Sequence, residues 1–167
     1  ARTGLQIAFR ECMQGIDRQG DGFVVRTDRG AYRTRSVLLA LGRRGTPRKL
    51  DVPGEESPKV VYRLIDPNQY VGKPVLVVGG GDSAIEAAMG LAEQQGNRVS
   101  ISYRREGFSR IKERNAQRIE DYIRRKKIRA VFHSQPVEIR PASVLLEVEG
   151  KVGEIPNDFT WIFAGGT

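Results

Sequence analysis

Residues 74–110 read PVLVVGGGDSAIEAAMGLAEQQGNRVSISYRREGFSR. The opening run, 74–78, is continuously apolar rather than alternating, which marks a strand buried on both faces, usually in a parallel sheet. It passes without a break into Gly79-Gly80-Gly81-Asp82-Ser83-Ala84. A helix is expected over 82–95, with Ile85, Ala88, Met89 and Ala92 at helical spacing on one face and Gly96-Asn97 as its stop. A second strand follows at 98–103. Gly79-x-Gly81-x-x-Ala84 fits the dinucleotide fingerprint with Ala in the last place. In that motif the first Gly allows the tight turn, the second lets backbone approach a pyrophosphate, and the small third residue lets helix pack on strand. The helix N-terminus adds unsatisfied N–H groups and partial positive charge.

The residues at the end of the second strand discriminate between cofactors. An acidic side chain there would hold a ribose 2′-hydroxyl, whereas cations suit a 2′-phosphate. The sequence offers Ser102-Tyr103-Arg104-Arg105, with Arg110 beyond Gly107. A guanidinium fork can take two phosphate oxygens at once. Glu106 is the contrary residue, since a swing of the loop would put it on a ribose. The bland alternative is that these arginines only solvate a surface turn.

Beyond this unit a second helix is expected over 109–127, with an apolar stripe of Ile111, Ile119, Tyr122 and Ile123, then a strand at 128–133. Short strands follow at 137–140, 144–148 and 152–155, and a last apolar run at 159–164. Strand, helix, strand, helix, strand is the signature of a right-handed doubly wound unit. Upstream, 4–9, 11–17 and 23–27 read as strands with a turn at Gly20-Asp21-Gly22. A further strand is expected over 31–41, its continuous end Val37-Leu38-Leu39-Ala40-Leu41 implying burial on both faces. The Pro- and Gly-bearing segment 42–54 is the crossover, and a domain boundary is drawn at 56/57.

Composition excludes much else. The chain has 167 residues, a net charge of +8, and one each of Cys, His and Trp. One cysteine, Cys12, rules out a disulfide, a C-x-x-C pair or a thiolate-rich zinc site within these residues. One histidine, His133, without a nucleophile elbow supports no serine-type triad; it reads as an ordinary strand residue. No catalytic residue and no metal ligand is expected. The apolar runs are far shorter than the roughly 20 residues that span a bilayer, and no signal peptide is recognised at the N-terminus. A soluble, cytoplasmic protein with no membrane partner is the expectation. Residues 98–129 carry 12 basic and 4 acidic groups, so one segment holds a charge equal to the whole net charge. Such a stretch fits an anionic ligand or surface. Nucleic acid is disfavoured, because interleaved aromatics and any named binding motif are missing.

GGGDSAIEAA at 79–88 followed by YRREGFSR at 103–110 resembles the NADPH-binding domain of thioredoxin reductase-like flavoproteins, in the pyridine nucleotide-disulfide oxidoreductase family. VLLALGRRGTPRKLDVPGE at 37–55 is similar to the stretch by which these enzymes leave their FAD domain, and NDFTWIFAGG at 157–166 to the strand by which they return. The resemblance implies an α/β fold: a three-layer Rossmann-like NAD(P)-binding domain with a β-meander at 57–167, and a partial FAD-domain β segment at 1–56. It implies that Gly79, Gly80, Gly81, Asp82, Ser83 and Ala84 hold a pyrophosphate, that Arg104, Arg105 and Arg110 hold a 2′-phosphate, and that Glu86 and Gly165 lie toward the nicotinamide. The function it implies is the NADPH-binding part of an enzyme passing hydride from NADPH to FAD and on to an acceptor. An NADPH-sensing module without turnover is the alternative.

The departures from the family pattern matter. Where thioredoxin reductases carry a redox C-x-x-C, this chain has VVYRLIDPNQYVGK at 60–73. It thus looks like the cysteine-free branch, such as ferredoxin–NADP reductases of thioredoxin reductase type and low-molecular-weight disulfide reductases, with a small disulfide, a ferredoxin-like protein or another redox acceptor as partner. Tyr103 stands where the family often has His, and Leu41 replaces the Thr of an A-T-G segment near FAD. The family's FAD-pyrophosphate turn would precede residue 1 and its second FAD segment would follow residue 167. The implied expectation is a middle section of a longer flavoenzyme, inactive alone, with residues 1–53 packed as a meander or paired with a second copy in a homodimer.

Overall fold

The computed structural model describes residues 6–40 and 47–165. Packing divides the chain into two compact units, Ala1–Arg44 and Gly45–Thr167.

The first unit is an antiparallel meander of β1 (Met13–Gln19), β2 (Gly22–Thr27) and β3 (Ala31–Thr34), in the order β1-β2-β3. Gln19 pairs with Gly22, so Gly20-Asp21 is a two-residue hairpin turn, with Gly20 at a φ of 60° that glycine reaches without strain. The second turn is closed by Thr27, whose N–H donates to Gly30 O at 2.8 Å. Two strand expectations fail here. Residues 6–12 form no strand, and residues 1–5 lie outside the described residues. The strand expected over 31–41 stops at Thr34, leaving Leu38 92% and Leu39 55% exposed. An apolar run reports that side chains would rather be covered, not which strand covers them, and among the described residues none pairs with 37–40. Leu41 and Gly42 lie outside the described residues.

The second unit is built on a five-stranded parallel sheet. Its strands are β4 (Val60–Val61), β5 (Pro74–Val78), β6 (Arg98–Ser102), β7 (Ile128–Val131) and, after three intervening strands, β11 (Phe159–Ile162). The order is β4-β11-β5-β6-β7, with β5 paired to both β11 and β6. Helices α1 (Asp82–Ala92) and α2 (Glu113–Arg124) both cover one face, where Val75, Val77, Val99, Ile101, Ile128 and Trp161 meet Ile85, Ala88, Met89, Leu91 and Ile119. The other face carries an antiparallel meander of β8 (Ser134–Ile139), β9 (Ser143–Val148) and β10 (Lys151–Pro156). There Leu76 and Val78 pack on Ile139, Val144 and Leu146. The unit is therefore three-layered, helices over parallel sheet over meander, as expected. Unlike a doubly wound fold, it has its helices on one side only. Continuous burial of Val75–Val78 follows from being covered on both faces.

By packing, the second unit begins at Gly45, ahead of the line drawn at 56/57. Leu50 and Val52 pack on the Leu76–Val144 core, and Pro53 O accepts the Ile139 N–H at 2.8 Å. Helix α2 is shorter than the span 109–127. Lys112 is extended because its N–H donates to the Asp82 carboxylate at 3.0 Å, and the left-handed Lys126 (φ 58°) ends the helix beyond Arg125. His133 is an exposed left-handed residue (φ 49°) between β7 and β8 rather than part of a strand.

Candidate functional site: a nucleotide cleft at the carboxyl ends of the parallel strands

The chain runs from β5 outward to β6 and β7, then returns to the opposite side of β5 as β11. Such a reversal opens a crevice beyond the carboxyl ends of the two strands flanking the central one, which is where open α/β sheets bind ligands. A cleft of about 380 Å³ lies there, lined by the residues that follow β5 (Gly79–Gly81), β6 (Tyr103, Arg104) and β11 (Phe163–Gly165). Hydrogen bonds carry the sheet into the cleft: Gly79 N–H donates to Ser102 O at 2.9 Å and Phe163 N–H to Val78 O at 2.8 Å. At its base Ser102 Oγ and Ser134 Oγ are 2.8 Å apart and buried.

Each glycine has its own reason. Gly79 sits at φ 140°, and a Cβ there would fall 2.6 Å from Phe163 O. Only glycine fits that turn. A Cβ on Gly80 would enter the Tyr103 ring at 2.4 Å, whereas one on Gly81 meets nothing within 4 Å. Gly81 therefore faces open space. It is the N-cap of α1, with no side chain capping the helix, so its first amides remain available to an anion. Ala84 is wholly buried, and its Cβ lies 3.2 Å from where a Cβ on Gly79 would stand. The last motif position must therefore be small.

An isolated parallel bridge joins Gly81 to Arg110. Arg110 and Arg104 both line the cleft, on the β6 side of the glycine turn. Among the described residues, neither Arg104, Arg105 nor Arg110 has an ion-pair partner. Arg105 does not line the cleft; its carbonyl accepts the His133 N–H at 3.1 Å. Tyr103 stacks on Phe108 at 5.8 Å between centroids, with the planes 19° apart, against Gly80.

Of the residues read from the sequence, the fold brings Gly79, Gly80, Gly81, Arg104, Arg110 and Gly165 together. Ser83 and Glu86 instead line a separate hollow of about 490 Å³ with Tyr62, Leu64 and Pro67, and Phe163 is common to both. Glu86 and Gly165 thus belong to different hollows. Asp82 turns its carboxylate to α2, accepting Lys112 N–H at 3.0 Å and Asn115 Nδ2 at 2.6 Å. Those two donors hold it below its usual carboxylate range. What Asp82 can offer an anion is its N–H. Asn115, buried in α2, also donates to Glu86 Oε1 at 3.0 Å.

Arg48, Lys49 and Gln135 line the cleft too, and sequence reasoning missed them. The Arg48 N–H donates to Gly165 O at 3.2 Å, which ties the crossover to the site. The signal was the basic RRGTPRKL run at 43–50, read only as a connection. Among the described residues no cluster of His, Cys, Asp or Glu could hold a metal, and no helix is long and apolar enough to cross a membrane.

The chain belongs to the pyridine nucleotide-disulphide oxidoreductase family, whose model matches residues 1–167. It is 34% identical to the ferredoxin–NADP reductase of Ignicoccus hospitalis over 97% of this chain and 53% of that protein. It is 32% identical to the bacilliredoxin reductase Bdr of Bacillus subtilis over 88% and 46% respectively. Among solved structures, bacillithiol disulfide reductase Bdr from Staphylococcus aureus superposes with a TM-score of 0.73 at 27% identity, covering 93% of this chain and 48% of that one. Thioredoxin reductase from Lactococcus lactis gives 0.67 at 30% identity, covering 92% and 52%. The chain spans about half the length of the relatives it matches.

Proposed function

We propose that this member of the pyridine nucleotide-disulphide oxidoreductase family is the NADPH-binding part of an FAD-dependent oxidoreductase. The observation that carries the reading is the meeting, in one cleft, of an open glycine at a helix N-terminus without a side-chain cap with two arginines on the β6 side that have no ion-pair partner among the described residues. The donor set fits the cofactor. The amides of Gly81, Asp82 and Ser83 would receive the pyrophosphate, and Arg104 and Arg110 the 2′-phosphate. Arg105 would contribute only general positive charge unless its loop turns.

When bound, NADPH supplies a hydride and FAD accepts it, so the protein's task is placement and screening rather than acid–base chemistry. The Gly79 N–H on Ser102 O and the Phe163 N–H on Val78 O hold the strand-to-helix turn in place, and Tyr103 presents an aromatic face at the adenine side. Asp82, through Lys112 and Asn115, fixes α2 against the first turn of α1. The flavin half of the proposal is supported by family membership and by the reductase names of the relatives.

The relatives are named for ferredoxin, bacilliredoxin and bacillithiol disulfide. For this chain we propose a redox protein or a small disulfide as the electron acceptor. With Cys12 alone in these residues, electrons reach it without a dithiol relay inside the chain.

Competition tests the nucleotide half. 2′,5′-ADP should displace NADPH, followed by its fluorescence, far better than 5′-AMP; equal displacement would count against a 2′-phosphate site. In the flavoenzyme that carries this chain, anaerobic NADPH should bleach the flavin band, and an unchanged spectrum would refute hydride transfer.

A further inference from the structure

At the opposite end of the parallel sheet lies a second cationic hollow. It measures about 570 Å³ and is lined by the amino ends of β5 and β6, the end of α1 with its connection to β6 (Ala92–Asn97, Glu93 included), the α2–β7 connection and the end of β10. Strand β5 separates it from the glycine turn by about 15 Å, at roughly 3.3 Å per residue.

Its floor follows from strand alternation. Val99 and Ile101 point to the helices and are buried, so Arg98 and Ser100 point to the meander side. Ser100 is in register with Arg129 on β7, whose neighbour Ile128 also joins the helix-side core. Arg98, Ser100 and Arg129 thus share one face. Arg98 lies diagonal to Arg129 across the two strands, within reach for side chains of that length. Among the described residues neither guanidinium has an ion-pair partner. The carboxylate that lines the hollow is engaged by another cation: Glu93 takes Lys127 at 3.1 Å. Lys126, held left-handed, adds a further cation at the rim, and Ile155 with Pro156 forms an apolar wall.

Two guanidinium forks flanking a hydroxyl are a donor set for phosphate oxygens, and the volume is that of a small-molecule site. We propose that this hollow binds a phosphate-bearing small molecule, independently of the nucleotide cleft. Arg98 and Arg129 grip the phosphate, Ser100 donates between them, and Ile155 and Pro156 face any organic part.

The test is a titration of the 167-residue chain with inorganic pyrophosphate at fixed ionic strength, followed through backbone amide NMR shifts. The expected result is saturable movement at Arg98–Ser100 and Arg129, separable from movement at Gly79–Ser83. In the double variant Arg98→Gln/Arg129→Gln the first set should vanish while the glycine-turn set persists, the undisturbed remainder of the spectrum reporting an intact fold. A parallel titration with 5′-AMP identifies the source: added shifts at Ile155 indicate an organic phosphate, and their absence an inorganic anion. Movement confined to the glycine turn, persistence of the first set in the double variant, or an equal response to chloride would overturn the proposal.

Discussion

Gly81 and Arg110 stand opposite each other in a parallel backbone bridge, although 28 residues separate them in the chain. The bridge seats the arginine loop directly beside the open glycine at the head of α1. On the proposed assignment, the amides that would receive a pyrophosphate and the arginines that would receive a 2′-phosphate form one surface.

Removing Arg104 or Arg110 should each cost a charge-assisted contact of about 1.5–3 kcal/mol, roughly a ten- to hundredfold loss of NADPH affinity. NADH affinity should hardly change. Arg105→Ala should weaken NADPH less than either, since Arg105 does not line the cleft. Fluorescence titration of the three variants checks the ranking.

Gly79→Ala and Gly81→Ala should separate fold from function. At Gly79 the φ of 140° and the Phe163 carbonyl 2.6 Å from the new methyl predict a loss of stability of about 1–3 kcal/mol or more. At Gly81 the φ is −98° and the space is open, so the fold should tolerate alanine while nucleotide binding falls. Thermal denaturation beside binding measurements distinguishes the two.

Asn115→Leu should destabilise the helix pair. The buried amide serves both Asp82 and Glu86, and leucine removes both of these hydrogen bonds between α2 and α1. A fall in melting temperature with unchanged secondary structure in circular dichroism is the expected result.

Tyr62, hydrogen-bonded to Glu55, should give the stability of this fold an alkaline limb. Burial and the hydrogen bond to Glu55 push the Tyr62 phenol from its ordinary 10.0 up to about 12. A raised folded value favours the protonated phenol, so its stabilisation is whole below pH 10 and is lost as pH rises from there toward 12. Glu55 is the opposite case. Burial raises its carboxyl, but donors from Leu50, Asp51 and Tyr62 outweigh that and hold it below the usual range. Its contribution is lost only as pH falls through that lowered value. Tyr62→Phe should flatten the alkaline limb of the stability curve, measured by urea unfolding between pH 9 and 12, values bracketing the Tyr62 shift.

The strand–glycine–helix unit was legible because its information is local. Apolar continuity in 74–78, the glycine spacing and the stripe on α1 each specify structure within a few residues. What escaped reading depends on contacts distant in sequence. The start of α2 is set by Asp82 capturing the Lys112 N–H, and Arg48 reaches the cleft through Gly165. Leu38 and Leu39 carry the apolarity of a buried strand and are exposed, because no pattern within a run names its partner. The separation of Ser83 and Glu86 from Gly165 likewise follows from the direction in which α1 leaves the sheet.

The most direct test of the nucleotide assignment is calorimetric titration of the 167-residue chain with NADPH and with NADH under identical salt. The account predicts that NADPH binds more tightly and that Arg104→Ala/Arg110→Ala brings the two affinities together. Equal affinities in the unaltered chain, or tighter binding of NADH, would contradict it.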